Sequence, residues 1–273
     1  MPSEGNIKSP PCGWPGSGQP PDAALGFALP PDCRISVIIP ALNEESSIGR
    51  VIAEIPPWVT EVIVADNGST DSTAQVARAA GARVAIAREK GYGSACLAGI
   101  AMAEHSTIFV FLDGDYSDYP AQMGRLIKPI ADGSQDMVLG SRVIGQRQFG
   151  AMLPQQRLGG ALATFLIRLI WRHRFTDLGP FRAIDRRALT HLAMDDKNFG
   201  WTIQMQIRAI RAGMRVWEVP VDYRKRIGKS KISGTLWGVL RAGYKIILTI
   251  FREAARPSPS EYRPDAKARS LSE

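Results

Sequence analysis

Asp113-Gly114-Asp115 is the part of this sequence best equipped for chemistry. It follows an uninterrupted apolar run, residues 108–112, that reads as a buried strand. Residues two apart on an extended chain point to the same side, with Cα atoms ~6–7 Å apart. Both carboxylates can therefore converge on one cation at the strand's carboxyl end. Hard divalent ions take such oxygen ligands, and Mg²⁺ in particular is often shared between one or two carboxylates and substrate phosphates. Gly114 would let the turning backbone come close to a ligand. The alternative is a solvated acidic turn that merely ends the strand.

The elements around the motif decide between these readings. Residues 35–40 and 61–66 are further apolar runs, ending at Asn43-Glu44 and at Asp66-Asn67-Gly68-Ser69-Thr70-Asp71. A shorter strand is expected at 83–87. Helices are expected up to about residue 55, from 71 to 80 with Ser69, Thr70 or Asp71 as N-cap, and from 94 to 103. Close alternation of strand and helix predicts a mostly parallel sheet covered on both faces. In such sheets ligands sit beyond the carboxyl ends of the strands. Asn43, Asp66, Asp113 and Asp115 all fall on that rim. Gly91 and Gly93 resemble part of a phosphate loop. A dinucleotide fingerprint should instead follow the first strand, and no G-x-x-x-x-G-K-[ST] occurs.

The chain has 273 residues, enough for one large α/β domain, and its formal charge of +8 favours anionic partners. Three scattered cysteines, Cys12, Cys33 and Cys96, indicate neither a disulfide framework nor a zinc site. Residues 1–33, rich in Pro, Gly and Ser, read as a disordered leader without the features of a secretory signal, and residues 253–273 as a disordered tail. No run of eighteen apolar residues occurs, so a spanning helix is not expected.

Four ordered motifs resemble the signatures of family 2 glycosyltransferases. They are Ile38-Ile39-Pro40-Ala41-Leu42-Asn43-Glu44, Ala65-Asp66-Asn67-Gly68-Ser69-Thr70-Asp71, Asp113-Gly114-Asp115 and Gly140-Ser141-Arg142. The resemblance implies a GT-A, Rossmann-like α/β domain over residues 34–252, with helical C-terminal additions and a nucleotide-diphospho-sugar donor. The second half is similar to the dolichyl-phosphate mannosyltransferases and polyprenyl-phosphate glucosyltransferases: Asp177-Leu178-Gly179-Pro180-Phe181-Arg182-Ala183, and Glu218-Val219-Pro220-Val221 followed by Arg226-Ile227-Gly228-Lys229-Ser230-Lys231. Those enzymes carry D-x-x-S-G-F-R at the first place, so Leu-Gly-Pro before Phe181 is a departure. By this resemblance Asp66 holds the nucleoside, with Pro40, Asn43 and Glu44 beside it. Asp113 and Asp115 surround Mg²⁺ or Mn²⁺ and the diphosphate, and Ser117 falls where some relatives have a further ligand. Arg142, Arg226 and Lys231 face phosphates as catalytic cations, with Asp115. The planar fork of Arg suits phosphate oxygens.

Transfer to a sugar hydroxyl usually needs a carboxylate base. The region where relatives of that kind carry it, residues 198–206, reads NFGWTIQMQ and holds no acid. A phosphate monoester needs no base, so a lipid phosphate is the favoured acceptor, although Asp177, Asp195 or Asp196 could approach from elsewhere. Residues 235–252 form an amphipathic helix. Arg241, Lys245 and Arg252 make a basic stripe beside Trp237, Tyr244 and Leu248, and Ile246 and Ile250 belong to a wide apolar face. That helix either lies in a membrane interface or docks on the enzyme body, and residues 161–171 are a second candidate. The expected activity is inverting hexosyl transfer to a polyprenyl phosphate by a cytoplasmic enzyme, peripheral at the inner membrane face. A sugar-hydroxyl acceptor in cell-surface polysaccharide or glycolipid synthesis is the alternative. A nucleic-acid-binding module is suggested by charge alone and lacks an aromatic–basic RNA signature or a helix-turn-helix, so no nucleic-acid partner is expected.

Overall fold

Strand β1 (Ile35–Ala41) is buried along its whole length, as a strand covered on both faces must be. Its side chains alternate between two apolar layers. Val37, Ile39 and Ala41 pack into one and Ile38 into the other. The computed structural model describes residues 27–228, 236–257 and 259–264. Within them β1, β2 (Glu61–Asp66), β3 (Arg83–Ile86), β4 (Ile108–Phe111), β5 (Met137–Ser141), β6 (Arg182–Asp185) and β7 (Val216–Pro220) form one sheet in the order β3-β2-β1-β4-β6-β5-β7.

The first four strands are parallel, as expected. β6 is not: it runs antiparallel to both β4 and β5, while β5 and β7 are parallel. Helices α1 (Ile48–Ala53), α2 (Thr73–Ala79) and α4 (Gly124–Ala131) cover one face. Helices α3 (Tyr92–Met102), α5 (Pro154–Trp171), α6 (Arg186–Leu192), α7 (Trp201–Arg211) and α8 (Leu236–Ala255) cover the other. No helix among the described residues is long and apolar enough to cross a membrane.

The structure decides several local readings. The N-cap position of α2 is Ser72, and Asp71 helps from one residue earlier by accepting the Thr73 N–H at 2.9 Å. Gly91 and Gly93 serve packing. A side chain at either would collide with the backbone carbonyls of Lys197 and Asp196, and the Ser94 N–H donates to the Lys197 carbonyl at 3.1 Å. The open side of Gly114 faces Ile39 and Ile48 in the core, each 3.4 Å from where a Cβ would sit, so its role is to pass the turn over these side chains. Ile250 of α8 is fully buried and Ile246 packs against the core, so the part of the apolar face that they carry docks on the body. Lys245 reaches the Asp196 carboxylate at 3.6 Å.

Both described ends extend the packed body. Phe27, Leu29 and Cys33, expected in the leader, pack on the second layer, with the Lys128 ammonium 5.3 Å from the Phe27 ring. Tyr262, expected in the tail, packs on the first, and its N–H donates to the Ala212 carbonyl at 2.9 Å. Single aromatic residues in polar sequence have no periodicity to announce them. The remainder of both expected tails, residues 1–26 and 265–273, lies outside the described residues.

Candidate active site

The rim at the carboxyl ends of β1 and β2 is built from short polar residues that satisfy one another's backbones. Ala41 pairs in register with Asp66, which puts the two loops side by side. Asn43 adopts a left-handed conformation, φ 53°. Its N–H donates to Ser69 Oγ at 2.9 Å and its side-chain oxygen accepts the Thr70 N–H at 2.8 Å. The Glu44 N–H donates to Thr73 Oγ1, and Glu44 Oε2 accepts the Ser47 hydroxyl. Asp66, nearly buried, accepts the Ser69 N–H through Oδ1 at 3.0 Å. Pro40, Asn43, Glu44 and Asp66 are thus gathered as expected.

The turn after β4 is wound tightly around its carboxylates. Asp115 Oδ1 accepts the Ser117 N–H at 2.9 Å and the Ser117 hydroxyl at 2.5 Å, and Oδ2 is ion-paired with Arg226. Asp113 receives the Tyr92 hydroxyl at 3.4 Å. Its backbone N–H donates to Oδ2 of a third acid, Asp118, at 3.3 Å. Asp118 Oδ1 is buried and has no hydrogen-bond partner. Burial, and then the Asp118 charge, push the Asp113 carboxyl up to about 6, against Arg226 and Arg142. Burial likewise pushes Asp118 up to about 6, against the nearby Arg142. Two buried carboxyls side by side resist ionising together.

Residues 222–228 fold back onto this turn. The Arg224 N–H donates to the Ser117 carbonyl and the Ile227 N–H to the Asp115 carbonyl, at 3.0 and 2.9 Å. Arg224 grips the turn from outside. Its guanidinium carbon lies 3.3 Å from the Tyr116 ring centroid and 4.4 Å from that of Tyr119. Its Nε donates to the Tyr116 carbonyl, and its fork spans Glu54 at 3.1 and 2.6 Å. Arg226 reaches Asp115 from this strip, so the basic loop begins directly on the acidic motif. Lys231 lies outside the described residues.

Arg142, just past β5, forms a fork with Asp177: Nε to Oδ2 at 2.7 Å and Nη2 to Oδ1 at 2.8 Å. Its guanidinium carbon sits 5.0 Å from the Tyr223 ring centroid. Burial would raise the Asp177 carboxyl, but the Arg142 charge and hydrogen bonds outweigh it and hold the group below the usual range. A cavity of about 780 Å³ opens here and runs from Asp113, Tyr92 and Arg142 to the start of α5 and the flank of α8. Arg147 and Arg157 add positive charge, and Met152, Leu158, Phe199 and Ile246 supply apolar wall.

The rim, the turn and the end of β5 carry the four motifs, and the family model described as "Glycosyl transferase family 2" matches residues 36–193. The chain belongs to glycosyltransferase family 2. An uncharacterised glycosyltransferase of Mycobacterium tuberculosis is 36% identical over 210 residues, 76% of this chain and 94% of that protein. The dolichyl-phosphate hexose transferase of Haloferax volcanii is 30% identical, covering 81% of this chain and 96% of its own. The undecaprenyl-phosphate mannosyltransferase of Micrococcus luteus is 28% identical, over 75% and 90%. Among solved structures, glucosyl-3-phosphoglycerate synthase of Mycobacterium tuberculosis, in complex with Mn²⁺, UDP and glucosyl-3-phosphoglycerate, superposes with a TM-score of 0.70. It is 26% identical and the match covers 90% of this chain and 88% of that one. The expected GT-A fold and transferase class are those found.

The site also gathers residues that the sequence alone did not single out. Asp118 was visible only as an acid three residues after Asp115. Tyr92 sat between glycines that drew attention to phosphates. Arg147 and Arg157 read as solvated cations, because only the cavity brings them to one wall. Arg224 carries no motif, and its grip on the turn depends on residues 54, 116 and 119.

Proposed function

We propose that the chain transfers a hexose, with inversion, from a nucleotide-diphospho-sugar to a polyprenyl phosphate at the inner face of the cytoplasmic membrane. The cavity beside Asp113 carries this reading. Its wall joins three arginines to an apolar stretch, which suits an anionic head on an apolar tail. The three carboxylates named above as possible bases for a hydroxyl acceptor are otherwise engaged. Asp177 is bound by Arg142, Asp195 by Arg208 and Arg256, and Asp196 lies beside Lys245. A phosphate monoester, whose second pKa is about 6, brings its own nucleophile. Its oxygen attacks the anomeric carbon, the bond to the diphosphate oxygen breaks, and no proton has to be removed.

Asp66, Pro40, Asn43 and Glu44 are assigned to the nucleoside and Asp113 and Asp115 to the diphosphate end. The two carboxylates suit a hard cation: both are oxygen donors, with the orphaned Asp118 oxygen nearby. Among the described residues no three His, Cys, Asp or Glu side chains are gathered to hold a metal ion. Most ligands would come from the diphosphate and water, as is common for Mg²⁺. Bound Mg²⁺ or Mn²⁺ would neutralise charge on the leaving nucleoside diphosphate. Arg142, held in orientation by Asp177, and Arg226 and Lys231 of the basic loop would offset the repulsion between acceptor phosphate and donor diphosphate.

The test is a screen of sugar nucleotides with Mg²⁺ or Mn²⁺ against a short-chain polyprenyl phosphate, 3-phosphoglycerate and free sugars. Turnover of the polyprenyl phosphate well above the others is expected, and Arg226→Ala or Lys231→Ala should depress transfer more than hydrolysis of the donor by water. Preferred transfer to a hydroxyl or to phosphoglycerate overturns the acceptor assignment. Equal proportional losses in the two rates would make the loop a donor-side clamp.

A further inference from the structure

α5 and α8 lie against each other, and each turns an apolar stripe away from the body. On α5 the stripe is Leu158, Leu162, Phe165 and Leu169, spaced four, three and four residues apart, with Phe165 58% and Leu169 67% exposed. Its inward residues are Ala163 and Ile167. On α8 the outward stripe is Tyr244, Leu248 and Phe251, spaced four and three, with Tyr244 66% and Phe251 55% exposed. Helical residues at these spacings share one face. Phe149, 96% exposed, lies in the loop before α5. An exposed apolar surface built from two adjoining helices marks an interaction site.

The charge around it has one sign. Between Arg142 and Asp177 the sequence contains Arg147, Arg157, Arg168, Arg172 and Arg174 and no acidic residue. Arg168, Arg172, Arg174 and Arg252 are exposed. The acid that α8 carries, Glu253, is buried and paired with Arg208 and Arg256. A second copy of the same face would bring these arginines against one another. A bilayer with anionic headgroups instead offers acyl chains to the leucines and aromatics and phosphates to the arginines.

We propose that the α5–α8 face docks this protein on anionic lipid, with both helix axes along the bilayer surface. The cavity gives the face its use. Leu158 is 73% exposed on the stripe and also lines the cavity, whose wall then continues inward to Asp113. A lipid phosphate lying in the bilayer would enter sideways from the docked face without leaving the membrane. This use rests on the lipid-phosphate acceptor reading; the docking surface itself does not.

The experiment is co-sedimentation of the full chain with vesicles of phosphatidylglycerol and phosphatidylcholine, and with phosphatidylcholine alone. Strong binding to the anionic vesicles is expected, at least tenfold weaker on phosphatidylcholine and weakened by salt. Phe165→Glu/Leu169→Glu and, separately, Arg168→Glu/Arg172→Glu should each lower anionic-vesicle binding at least tenfold, with the thermal midpoint unchanged. Neither pair lines the cavity, so turnover of a water-soluble short-chain polyprenyl phosphate should stay within twofold of wild type. Wild-type protein that stays in solution, or variants that bind as well as wild type, overturn the proposal. So does light scattering that shows a dimer split by Phe165→Glu/Leu169→Glu, without vesicle binding. Vesicle binding as expected with no turnover of any polyprenyl phosphate would leave the docking intact and remove the acceptor reading.

Discussion

Asp177→Asn keeps the shape of the residue and removes its charge. In the native protein the carboxylate accepts four hydrogen bonds, from Arg142 Nε and Nη2 at 2.7 and 2.8 Å and from the backbone N–H groups of Arg142 and Leu178 at 2.9 and 2.7 Å. An amide can accept at only one of its two ends, so one NH₂ would face a donor. The two side chains are 16% and 7% exposed, which leaves the Arg142 charge largely without compensation. Removing one partner of a buried pair costs ~3–5 kcal/mol, and the partial exposure of Arg142 favours the lower end, about 3 kcal/mol. At a urea slope of ~3 kcal/mol/M, the upper value for single domains, the unfolding midpoint should fall by about 1 M. pH adds a second signature. Asp177 has its carboxyl lowered in the folded state, so its stabilisation is complete above the unfolded value of ~3.9 and is lost as pH falls through the lower folded value. The variant should lack that part of the acid-denaturation limb. In an Arg142→Met background the same substitution should cost under ~1 kcal/mol, because the orphaned charge is gone. A loss of less than ~1 kcal/mol in the wild-type background, or an equal loss in both, would refute the reasoning.

Three further outcomes are expected. Asp115→Asn should abolish most Mn²⁺-dependent turnover and weaken Mn²⁺ binding followed by electron paramagnetic resonance; unchanged metal dependence would remove the residue from that role. Asp66→Ala should weaken nucleotide binding by roughly 1–3 kcal/mol in calorimetry, the scale for a hydrogen bond to a charged group, and equal affinity would discard the nucleoside assignment. Asp118 has a raised folded pKa, so its contribution is most favourable below ~3.9 and is lost as pH rises through about 6. Asp118→Asn should therefore stabilise the protein at pH 7–8, read as a higher urea midpoint, and flatten its stability between pH 4 and 6. Destabilisation at pH 8 would contradict this.

The first half of the sheet and its rim were legible because they are local. β1, β2, β3 and β4 each fall within one residue of their apolar runs, and the polar residues that end them are the rim. β5, β6 and β7 are harder to read: MVLGS, RAID and VWEVP are short and interrupted by Gly, Arg, Asp, Glu or Pro. The antiparallel placing of β6 is a non-local pairing that no short window contains. For α8, periodicity showed an amphipathic helix but not which face is free. Ile246 and Ile250 turned inward, and the stripe left outside runs through Tyr244, Leu248 and Phe251. Arg142, Asp115 and Arg226 were found by motif. Asp115 and Arg226 meet because residues 222–228 fold back onto the turn, where Tyr223 bridges to Asp118 and the Arg224 N–H donates to the Ser117 carbonyl, partners far apart in the chain.

The position of β6 also sets an order of assembly. β4 has β1 on one side and β6 on the other, and β5 joins the sheet only through β6 and β7. On a ribosome the rim bearing Asp66 and Asp113 can therefore close as soon as β4 has emerged. β5, made well before β6, has no sheet neighbour to pair with until residues 182–185 arrive. Arg142, directly behind β5, waits with it, as does its partner Asp177. A nascent or truncated chain that stops short of β6 would hold a formed rim without the pairing that brings in Arg142 and Asp177. Its exposed β4 edge would be open to pairing with another chain. Truncations meant to isolate the half that bears the rim should end after α6, where that edge is covered.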